Sequence, residues 1–276
     1  MNCKICNKQS LILFEALVLK KHLVKYLKCQ NCGFIQTEEP YWLNDAYASP
    51  IALLDVGLLY RNNMLAERSS PIFNQIAGNG KYLDYGGGYG IYVRLMRDRG
   101  YDFYLSDKYC KNLFAQFFEL KDAGIENGFT CLTAFEVFEH LASPIDEITA
   151  MFHLSDTIFF STELQPEIEM RSVNDWWYFV PEAGQHIALF SIGSLEQLKL
   201  HFNCYLYSNN VNLHILSKKP LLKDPFESKV ETPLTLHERI FNKFFKPNHF
   251  IKQEEKKSLL QKDFEYYKTK LFNGNA

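Results

Sequence analysis

The chain has 276 residues, of which 47% are hydrophobic and 22% charged, with a formal net charge of −2 and a pI near 6.5. This length suits one substantial α/β domain with a small appendage, and the composition is that of a soluble globular protein. The near-neutral charge gives no electrostatic reason to expect a nucleic acid as partner, no apolar run approaches the roughly 20 residues of a membrane span, and the first residues lack the apolar core of a signal peptide.

The first motif along the chain is a pair of C-x2-C sequences separated by 22 residues. Two residues between thiolates let one tight turn present both sulfurs to a tetrahedral ion, and four thiolate ligands are typical of a closed, structural zinc site. A redox dithiol would need only one such pair. The expected zinc ligands are Cys3, Cys6, Cys29 and Cys32. Metal thiolates suit a reducing compartment better than a disulfide scaffold does, so we expect a cytoplasmic protein.

The segment between the cysteine pairs predicts a short hairpin. Residues 11–14 and 23–27 are apolar stretches that can pair. Asn7 and Gly33, directly after the two pairs, are residue types that tolerate the left-handed backbone of such turns. We therefore predict a zinc ribbon over residues 1–38. Its lysine-rich loop could contact a nucleic acid, but a solvated charged face on a small lid module is the favoured interpretation.

Residues 39–75 lack strand character and predict a helical linker or lid. The expected one or two helices are interrupted near Pro50 and stopped near Pro71. Tyr47 and Tyr60 on this segment are candidates to face a ligand, although core packing explains them equally well.

A glycine-rich stretch then follows a short apolar strand. The apolar residues at 82–83 end in Asp84, and three glycines follow at alternate positions. Apolar residues next recur at helical spacing over 91–97, and Gly100 can end that helix. A strand that ends in a glycine turn beneath a helix N-terminus is where an open α/β sheet binds a nucleotide-like cofactor.

The spacing of these glycines selects among cofactors. The dinucleotide sequence G-x-G-x-x-G fails because Ile91 occupies its third glycine position, and the Gly-Lys-Ser/Thr of a phosphate-binding loop is missing. The D-x-G-x-G-x-G sequence instead resembles the first motif of the class I S-adenosylmethionine (SAM) methyltransferases. The resemblance implies SAM as cofactor, and the matching residues are Asp84, Tyr85, Gly86, Gly88 and Gly90. The alternative is a glycine-rich turn without a ligand.

Residues 101–107 predict a second strand that ends in Asp107, 17 residues after the last of these glycines. An acid at this place can accept hydrogen bonds from both ribose hydroxyls of the cofactor, which is a second match to the methyltransferase pattern. The competing role for Asp107 is to cap a helix over 111–120, whose apolar part at 114–118 should pack on the sheet. Only 124–128 is available as a third strand, and the adenine-contacting acid stays unassigned.

The stretch 129–141 predicts a buried strand that runs into a turn. It resembles the fourth-strand block of many small-molecule methyltransferases, which ends in E-V-x-E-H. By that resemblance Glu136, Glu139 and His140 face the pocket at the carboxyl edge of the sheet, and Glu136 joins the cofactor-binding set. Thr130 stands where the family's strand usually opens with Asp, which weakens the match. No Asn/Asp-Pro-Pro-Tyr/Phe sequence ends the strand, which argues against methylation of adenine or glutamine amino groups.

The remaining core elements follow at regular intervals. Pro144 opens a predicted helix with Ser143 as its cap, and residues 157–162 predict the fifth strand. Residues 205–207 and 211–216 predict a closing antiparallel pair.

The aromatic loop, residues 176–191, follows the fifth strand and exceeds a dozen residues, which favours a functional role. Its G-Q-H-I-x-x-F-S sequence resembles a block of zinc-ribbon-bearing methyltransferases of sugar and natural-product pathways. In the sugar C-methyltransferases of that group, a His at this place is a candidate general base. By that match the base is His186, with His140 and Tyr178 as secondary candidates. The alternative is a His that only hydrogen-bonds the loop backbone.

The character of the chain changes from residue 218 onward. Prolines mark a linker, and 237–245 and 253–271 predict two amphipathic helices. These helices could pack on the core, form a homodimer or touch an anionic partner, and the need to bury their apolar faces favours packing. The expected domains are a zinc ribbon (1–38), a helical linker or lid (39–75), a SAM-dependent methyltransferase domain (76–219) and a helical C-terminal extension (220–276).

The expected fold is therefore α/β, a Rossmann-like, doubly wound sheet of about seven strands with an N-terminal zinc ribbon and a C-terminal helical extension. The expected function is SAM-dependent methyl transfer to an O or C atom of a small acceptor, sugar-derived (a nucleotide sugar, for example) or from a natural-product pathway. One alternative is a zinc-ribbon methyltransferase of ribosomal RNA, against which the near-neutral charge argues. The other is a non-catalytic SAM-fold scaffold that binds a protein partner.

Overall fold

The computed structural model describes residues 1–48, 55–76, 80–227 and 257–272. Its strands are β1 (Ser10–Val18), β2 (His22–Cys29), β3 (Ile35–Thr37), β4 (Lys81–Tyr85), β5 (Asp102–Ser106), β6 (Cys131–Ala134), β7 (Thr157–Ser161), β8 (Ala188–Leu189), β9 (Tyr205–Ser208) and β10 (Leu213–Ser217). Its α-helices are α1 (Leu43–Ala46), α2 (Leu58–Ile76), α3 (Ile91–Asp98), α4 (Pro144–Leu154), α5 (Ile192–Phe202) and α6 (Leu260–Phe272). No helix within the described ranges is long and apolar enough to cross a membrane.

The central sheet has the strand order β5-β4-β6-β7-β10-β9. Strands β5, β4, β6 and β7 pair in parallel, and β10 pairs antiparallel with both of its neighbours. The residues of β6 and β7 are buried along the whole length of each strand, as expected for a parallel sheet that is covered on both faces. The predicted α/β fold with a closing antiparallel pair is confirmed.

The outer edge of β5 differs from the expected seven-stranded sheet. A single parallel bridge joins Leu105 to Glu119, and the described part of this sheet has six strands. Gly124 and Gly128 have φ of +68° and +78°, a backbone conformation that a continuous strand does not contain. The segment 124–128 therefore does not form the predicted third strand.

The predicted helix over 111–120 is wrong, because Asn112 folds this segment into a turn. Its Nδ2 donates to the carbonyl of Ala115 (2.7 Å) and its Oδ1 accepts from the N–H of the same residue (2.9 Å). Such local bonds give the backbone an alternative to the helical ladder. Phe117 then adopts φ +63°, which no α-helix contains. Phe118 is still buried, but it packs against α6 instead of forming part of a helix.

Helix α2 continues through Pro71 to its end, so the prediction that Pro71 stops it was wrong. Proline removes one helical N–H and costs about 3 kcal/mol in a helix interior. The five residues of α2 that follow Pro71 are held by burial, since Phe73 is fully buried and its ring centre lies 5.2 Å from that of Tyr82 on β4. Burying one such side chain contributes about 1.5–3 kcal/mol, and its neighbours add to this. The predicted break near Pro50 lies outside the described residues.

The N-terminal module is a four-stranded antiparallel sheet of order β1-β2-β3-β8. The predicted hairpin is confirmed, because β1 and β2 pair antiparallel along most of their length. Asn7 and Gly33 have φ of +57° and +76°, the left-handed conformation predicted for them.

The fourth strand of this module comes from the aromatic loop. β8 pairs with β3, with Gln36 opposite Ala188. Next to it, Ser191 Oγ donates to the carbonyl of Cys32 (2.6 Å), and Gly193 packs so closely that a Cβ there would lie 2.9 Å from the same carbonyl oxygen. The module and the central domain are therefore joined through a shared sheet and close backbone contact.

Helix α6 packs on the central domain through a buried ion pair. Asp263 is buried and accepts hydrogen bonds from Arg97 Nε (2.8 Å) and Nη2 (2.9 Å). Arg94 Nη2 lies 2.9 Å from the same carboxylate. The described part of the tail thus packs on the core, which is the arrangement favoured from the sequence. The predicted helix at 237–245 lies outside the described residues.

Replacing Asp263 with alanine is expected to lower the free energy of unfolding by about 3 kcal/mol, because Arg97 would keep a buried charge with only one carboxylate partner. That partner is Asp102, at 2.5 Å. Glu169→Gln, which breaks an exposed pair with Arg171, is the control and should change the free energy by less than about 1 kcal/mol. Urea unfolding measures both values, and equal effects of the two variants would contradict the importance of the buried pair.

Candidate active site

The loop after β4 has the left-handed backbone that glycine favours. Gly86, Gly88 and Gly90 have φ of +69°, +60° and +85°. A Cβ on Gly86 would lie 2.7 Å from Val137 Cγ2, whereas a Cβ on Gly88 would meet nothing closer than Cys110 Sγ, at 4.0 Å. The backbone is therefore tightly packed at Gly86 and open at Gly88. This is a cradle in which a ligand can approach the backbone amides.

Asp107 ties the glycine loop to the segment after β5. Its Oδ2 accepts from the N–H of Gly88 (2.9 Å), and its Oδ1 accepts from the N–H groups of Tyr109 and Cys110 (2.7 Å each). Because no helix forms over 111–120, the competing role of Asp107 as the cap of that helix is wrong.

Asp84 lies beneath the glycine loop and is almost fully buried. Thr133 Oγ1 donates to its Oδ1 (2.6 Å). Burial, followed by the nearby charge of Asp107, raises the pKa of Asp84 to about 7, although the bond from Thr133 acts in the opposite direction. The carboxyl group below the loop therefore changes its protonation close to neutral pH.

One cavity of about 670 Å³ opens at the carboxyl ends of β4, β5 and β6, which is within the usual range for small-molecule sites. The predicted cofactor-binding residues all line it except Gly90, which forms the N-cap of α3. Tyr47 also lines the cavity and stacks on Tyr109, with ring centres 5.3 Å apart. Tyr60 is exposed and lies outside the lining, so it does not face this cavity.

Glu136 follows β6 with φ +56°, a strained backbone for a residue with a long side chain. Ser161 holds it on both sides, because its hydroxyl donates to Glu136 Oε1 (2.7 Å) and accepts from the Glu136 N–H (2.8 Å). Arg61 of α2 lies 3.5 Å from Glu136 Oε2 and forms a two-pronged pair with Asp55 (3.0 and 2.7 Å). Arg61 was not found from the sequence, because no motif surrounds it.

His140 and His186 come from different loops and meet in the cavity, with ring centres 5.0 Å apart. His140 Nδ1 lies 3.1 Å from the carbonyl oxygen of Gln185, and His186 Nδ1 lies 2.6 Å from that of Tyr178. Since a carbonyl oxygen can only accept, we assign the proton to Nδ1 in both rings. Nε2 of each ring is then left with a free lone pair.

Glu139 completes this group, which we call the Glu-His-His cluster (Glu139, His140 and His186). One oxygen of the buried carboxylate and one nitrogen of each imidazole all lie within 4.8 Å of one another. Burial lowers the pKa of His140 to about 3, with a contribution from the charge of His186, and burial lowers the pKa of His186 to about 4. Burial, and then the charge of Glu136, raise the pKa of Glu139 well above its usual range. Both imidazoles are therefore neutral near pH 7.

Tyr178 contacts His186 through its backbone carbonyl, while its own ring is buried against the imidazole, with ring centres 4.6 Å apart. Trp177 is 70% exposed and lines the cavity. Thr130 packs against Gly80 and lies outside the lining. The loss of the usual strand-four acid at that position therefore does not alter the cavity wall.

The four predicted zinc ligands lie together in the N-terminal module. Three Sγ–Sγ distances among them are 3.5–3.6 Å. Four thiolates about 2.3 Å from one zinc ion form a tetrahedron with edges of about 3.8 Å, whereas a disulfide bond measures about 2.0 Å. Backbone N–H groups of Ile5 and Asn31 donate to two of the sulfurs (3.4 Å each). The residues present therefore fit a zinc ion.

Comparison with known proteins identifies the central part of the chain. Residues 60–209, more than half of the chain, match the family model described as a methyltransferase domain. No curated protein sequence matches the chain.

Several solved structures are similar to part of the chain at low sequence identity. An O-methyltransferase family protein from Burkholderia thailandensis is 11% identical, with 64% of this chain and 67% of that chain covered and a TM-score of 0.38. An O-methyltransferase family 2 protein from Planctomyces limnophilus is 11% identical, with 62% and 63% covered and a TM-score of 0.37. The plantazolicin methyltransferase BpumL, bound to S-adenosylhomocysteine, is 9% identical, with 64% and 93% covered and a TM-score of 0.43. The matched part of this chain thus spans about two thirds of the length of the two O-methyltransferase family proteins.

At pH 8 the variant Asp84→Asn is expected to have a higher free energy of unfolding than the wild type. At pH 5 this difference should be smaller by about 2–3 kcal/mol. Between pH 8 and pH 5 the folded wild type takes up a proton at Asp84, whose pKa is about 7. The unfolded chain, with a pKa near 4, stays ionised, so the wild type gains stability as the pH falls. Urea unfolding at both pH values measures the difference, and an advantage that is independent of pH would contradict the buried ionisation.

Proposed function

The chain belongs to the methyltransferase-domain family, and from this premise we propose that it transfers a methyl group from SAM to an O or C atom of a small acceptor. The acceptor class that we favour is sugar-derived, for example a nucleotide sugar, or a related natural product. The observation that carries the proposal is the continuity of the cavity, which is lined by the glycine loop and Asp107 and also by His140 and His186. Donor and acceptor would be held together in this one space, which removes the entropy cost of bringing them together.

The cofactor would lie along the glycine loop. The open backbone at Gly88 admits its close approach, and Asp107 would accept hydrogen bonds from the ribose hydroxyls. Tyr85 and Glu136 line the adjoining wall, where the Glu136 carboxylate favours a positively charged ligand. When bound, SAM supplies a methyl group on a positively charged sulfur, which is already an activated donor. The protein then has to orient the partners and accept a proton.

His186 is the proposed general base. Its Nδ1–H is donated to the carbonyl of Tyr178, so Nε2 can take the proton of an acceptor hydroxyl or of an activated C–H group. The neighbouring carboxyl group of Glu139, when ionised, would stabilise the imidazolium that results. His140 and Tyr178 are secondary candidates, which contact the His186 ring and fix its position.

Aromatic side chains support a small acceptor with a ring. Trp177, Tyr47 and Tyr109 line the cavity, and flat aromatic faces suit the apolar face of a sugar or polyketide ring. Trp176 does not take part, because it is buried against Phe179.

Wild-type protein is expected to bind S-adenosylhomocysteine with a micromolar Kd, about −8 kcal/mol, in a calorimetric titration. Asp107→Ala should weaken binding at least about tenfold, a loss of about 1.4 kcal/mol, because it removes the ribose acceptor and one tether of the glycine loop. Asp156→Asn, which alters an exposed pair with Lys219, is the control and should bind as the wild type does. Folded wild-type protein that does not bind would contradict the proposed function.

We also propose that the N-terminal module binds one structural zinc ion through its four cysteines. The ion would cross-link the two turns and has no open coordination position for chemistry. The support is the spacing of the sulfurs and the N–H groups directed at them.

Cobalt substitution tests the zinc proposal, because four thiolates give Co²⁺ an intense sulfur-to-metal charge-transfer absorption. The wild type should bind one Co²⁺ with this absorption, and Cys29→Ser should reduce both its intensity and the affinity. Cys110→Ser, outside the cysteine cluster, is the matched control and should leave the spectrum unchanged. A spectrum of Cys29→Ser that equals the wild type would exclude Cys29 as a ligand.

A further inference from the structure

Glu139 is a fully buried carboxyl group that the protein satisfies only in part. Among the described residues, the Tyr178 hydroxyl acts on it as a hydrogen-bond donor, and Thr162 lies next to that hydroxyl. None of these contacts has the geometry of a full hydrogen bond within the described part of the chain, and Glu139 lines the cavity. Leaving one such polar group unpaired costs about 1–3 kcal/mol, and more when it is charged. A buried carboxyl group this weakly bonded, at the wall of a cavity, points to an occupant that bonds to it.

Other charged groups near Glu139 do not meet this need. The charge of Arg61 acts on Glu139 from a distance, but its guanidinium is paired with Asp55 and lies 3.5 Å from Glu136. His140 Nε2 lies 3.9 Å from Glu139 Oε1, which is too far for a hydrogen bond. Glu136 adds negative charge, and its own oxygens already face Ser161 and Arg61. Within the described residues, no cationic side chain is therefore paired with Glu139.

The two imidazoles are prepared to bind a cation. Each directs Nδ1–H at a backbone carbonyl, of Gln185 for His140 and of Tyr178 for His186. This second contact is the one that metal-binding histidines make, because it fixes the ring and leaves Nε2 as the ligand atom.

We propose that Glu139, His140 and His186 bind a divalent transition-metal ion of the Mn²⁺, Fe²⁺ or Zn²⁺ type. Two imidazoles and one carboxylate are a recurrent ligand set for such ions and leave coordination positions open. One carboxyl oxygen of Glu139 and one ring nitrogen of each histidine lie within 4.8 Å of one another, and His140 Nε2 lies 3.9 Å from Glu139 Oε1. Ligands about 2.1 Å from one ion lie about 3–4 Å apart, which is close to these separations.

This inference deepens the proposed function and rests on it. The open positions would take oxygen atoms of the acceptor, and a hydroxyl group held there has a lowered pKa. The acceptor class that fits best carries two neighbouring oxygens, such as a vicinal diol or a hydroxyketone. With the ion bound, Nε2 of His186 is a ligand, and the ion takes over from the free imidazole the task of promoting loss of the hydroxyl proton to water.

Metal content gives a readout that does not depend on activity. Protein would be saturated with Mn²⁺ after washing with a carboxylate chelator too weak to remove zinc from four thiolates. Bound Mn²⁺ would be counted by electron paramagnetic resonance and zinc by atomic emission. The wild type should hold two divalent ions per chain, one in the cysteine cluster and one here, and Glu139→Gln should hold one. His186→Gln should weaken Mn²⁺ binding at least about tenfold.

Controls separate this inference from the proposed function. Glu163→Gln removes another acid that lines the cavity but is bonded to Asn212, and it should keep two ions. S-adenosylhomocysteine titration of each variant reports folding and the cofactor site, and Glu139→Gln should bind it as the wild type does. Equal metal content in the wild type and Glu139→Gln, whether one ion or two, overturns the metal site. Loss of S-adenosylhomocysteine binding by the wild type overturns the proposed function instead.

Discussion

The arrangement of the active site depends on the two backbone hydrogen bonds of Ile187. Its N–H donates to the carbonyl of Glu139 (2.9 Å), and its carbonyl accepts from the N–H of Thr37 (3.1 Å). One residue thereby links the N-terminal module, the turn after β6 and the aromatic loop that carries His186. Ile187 is buried, and buried backbone groups require partners, so the loop cannot move away without leaving both bonds unmade.

Through this link the N-terminal module supports the active site, although it does not line the cavity. β3 pairs on one side with the hairpin and on the other with β8, directly after Ile187. A zinc ion in the cysteine cluster would hold the turn before β3, since Cys32 accepts from Ser191 at the start of α5. Zinc would therefore stabilise the position of His186 from a distance. The same reasoning explains why a closed, four-thiolate site suits this module.

Backbone strain and weakly bonded buried groups are concentrated around the cavity. Glu136 and Val180 both line it and have left-handed backbones, with φ of +56° and +38°. Side chains with a Cβ adopt this conformation at a cost of about 1–3 kcal/mol, and such sites persist where surrounding structure enforces them. The buried carboxyl of Glu139 adds a further cost. Together these features place a local cost in stability at the wall of the cavity.

The sequence by itself determined the features that depend on neighbouring residues. The glycine loop, the hairpin between the cysteine pairs and the left-handed turns at Asn7 and Gly33 follow from local backbone preferences, and the structure has them all. The alternation of strands and helices likewise determined the α/β class.

Tertiary structure decided the rest. Burial of Phe73 carries α2 through Pro71, and the local bonds of Asn112 together with packing against α6 replace a predicted helix. The pairing of β8 with β3, the approach of Arg61 to Glu136 and the meeting of Glu139, His140 and His186 depend on residues far apart in the chain. Local patterns do not encode such contacts, because their energies arise only when the chain has folded.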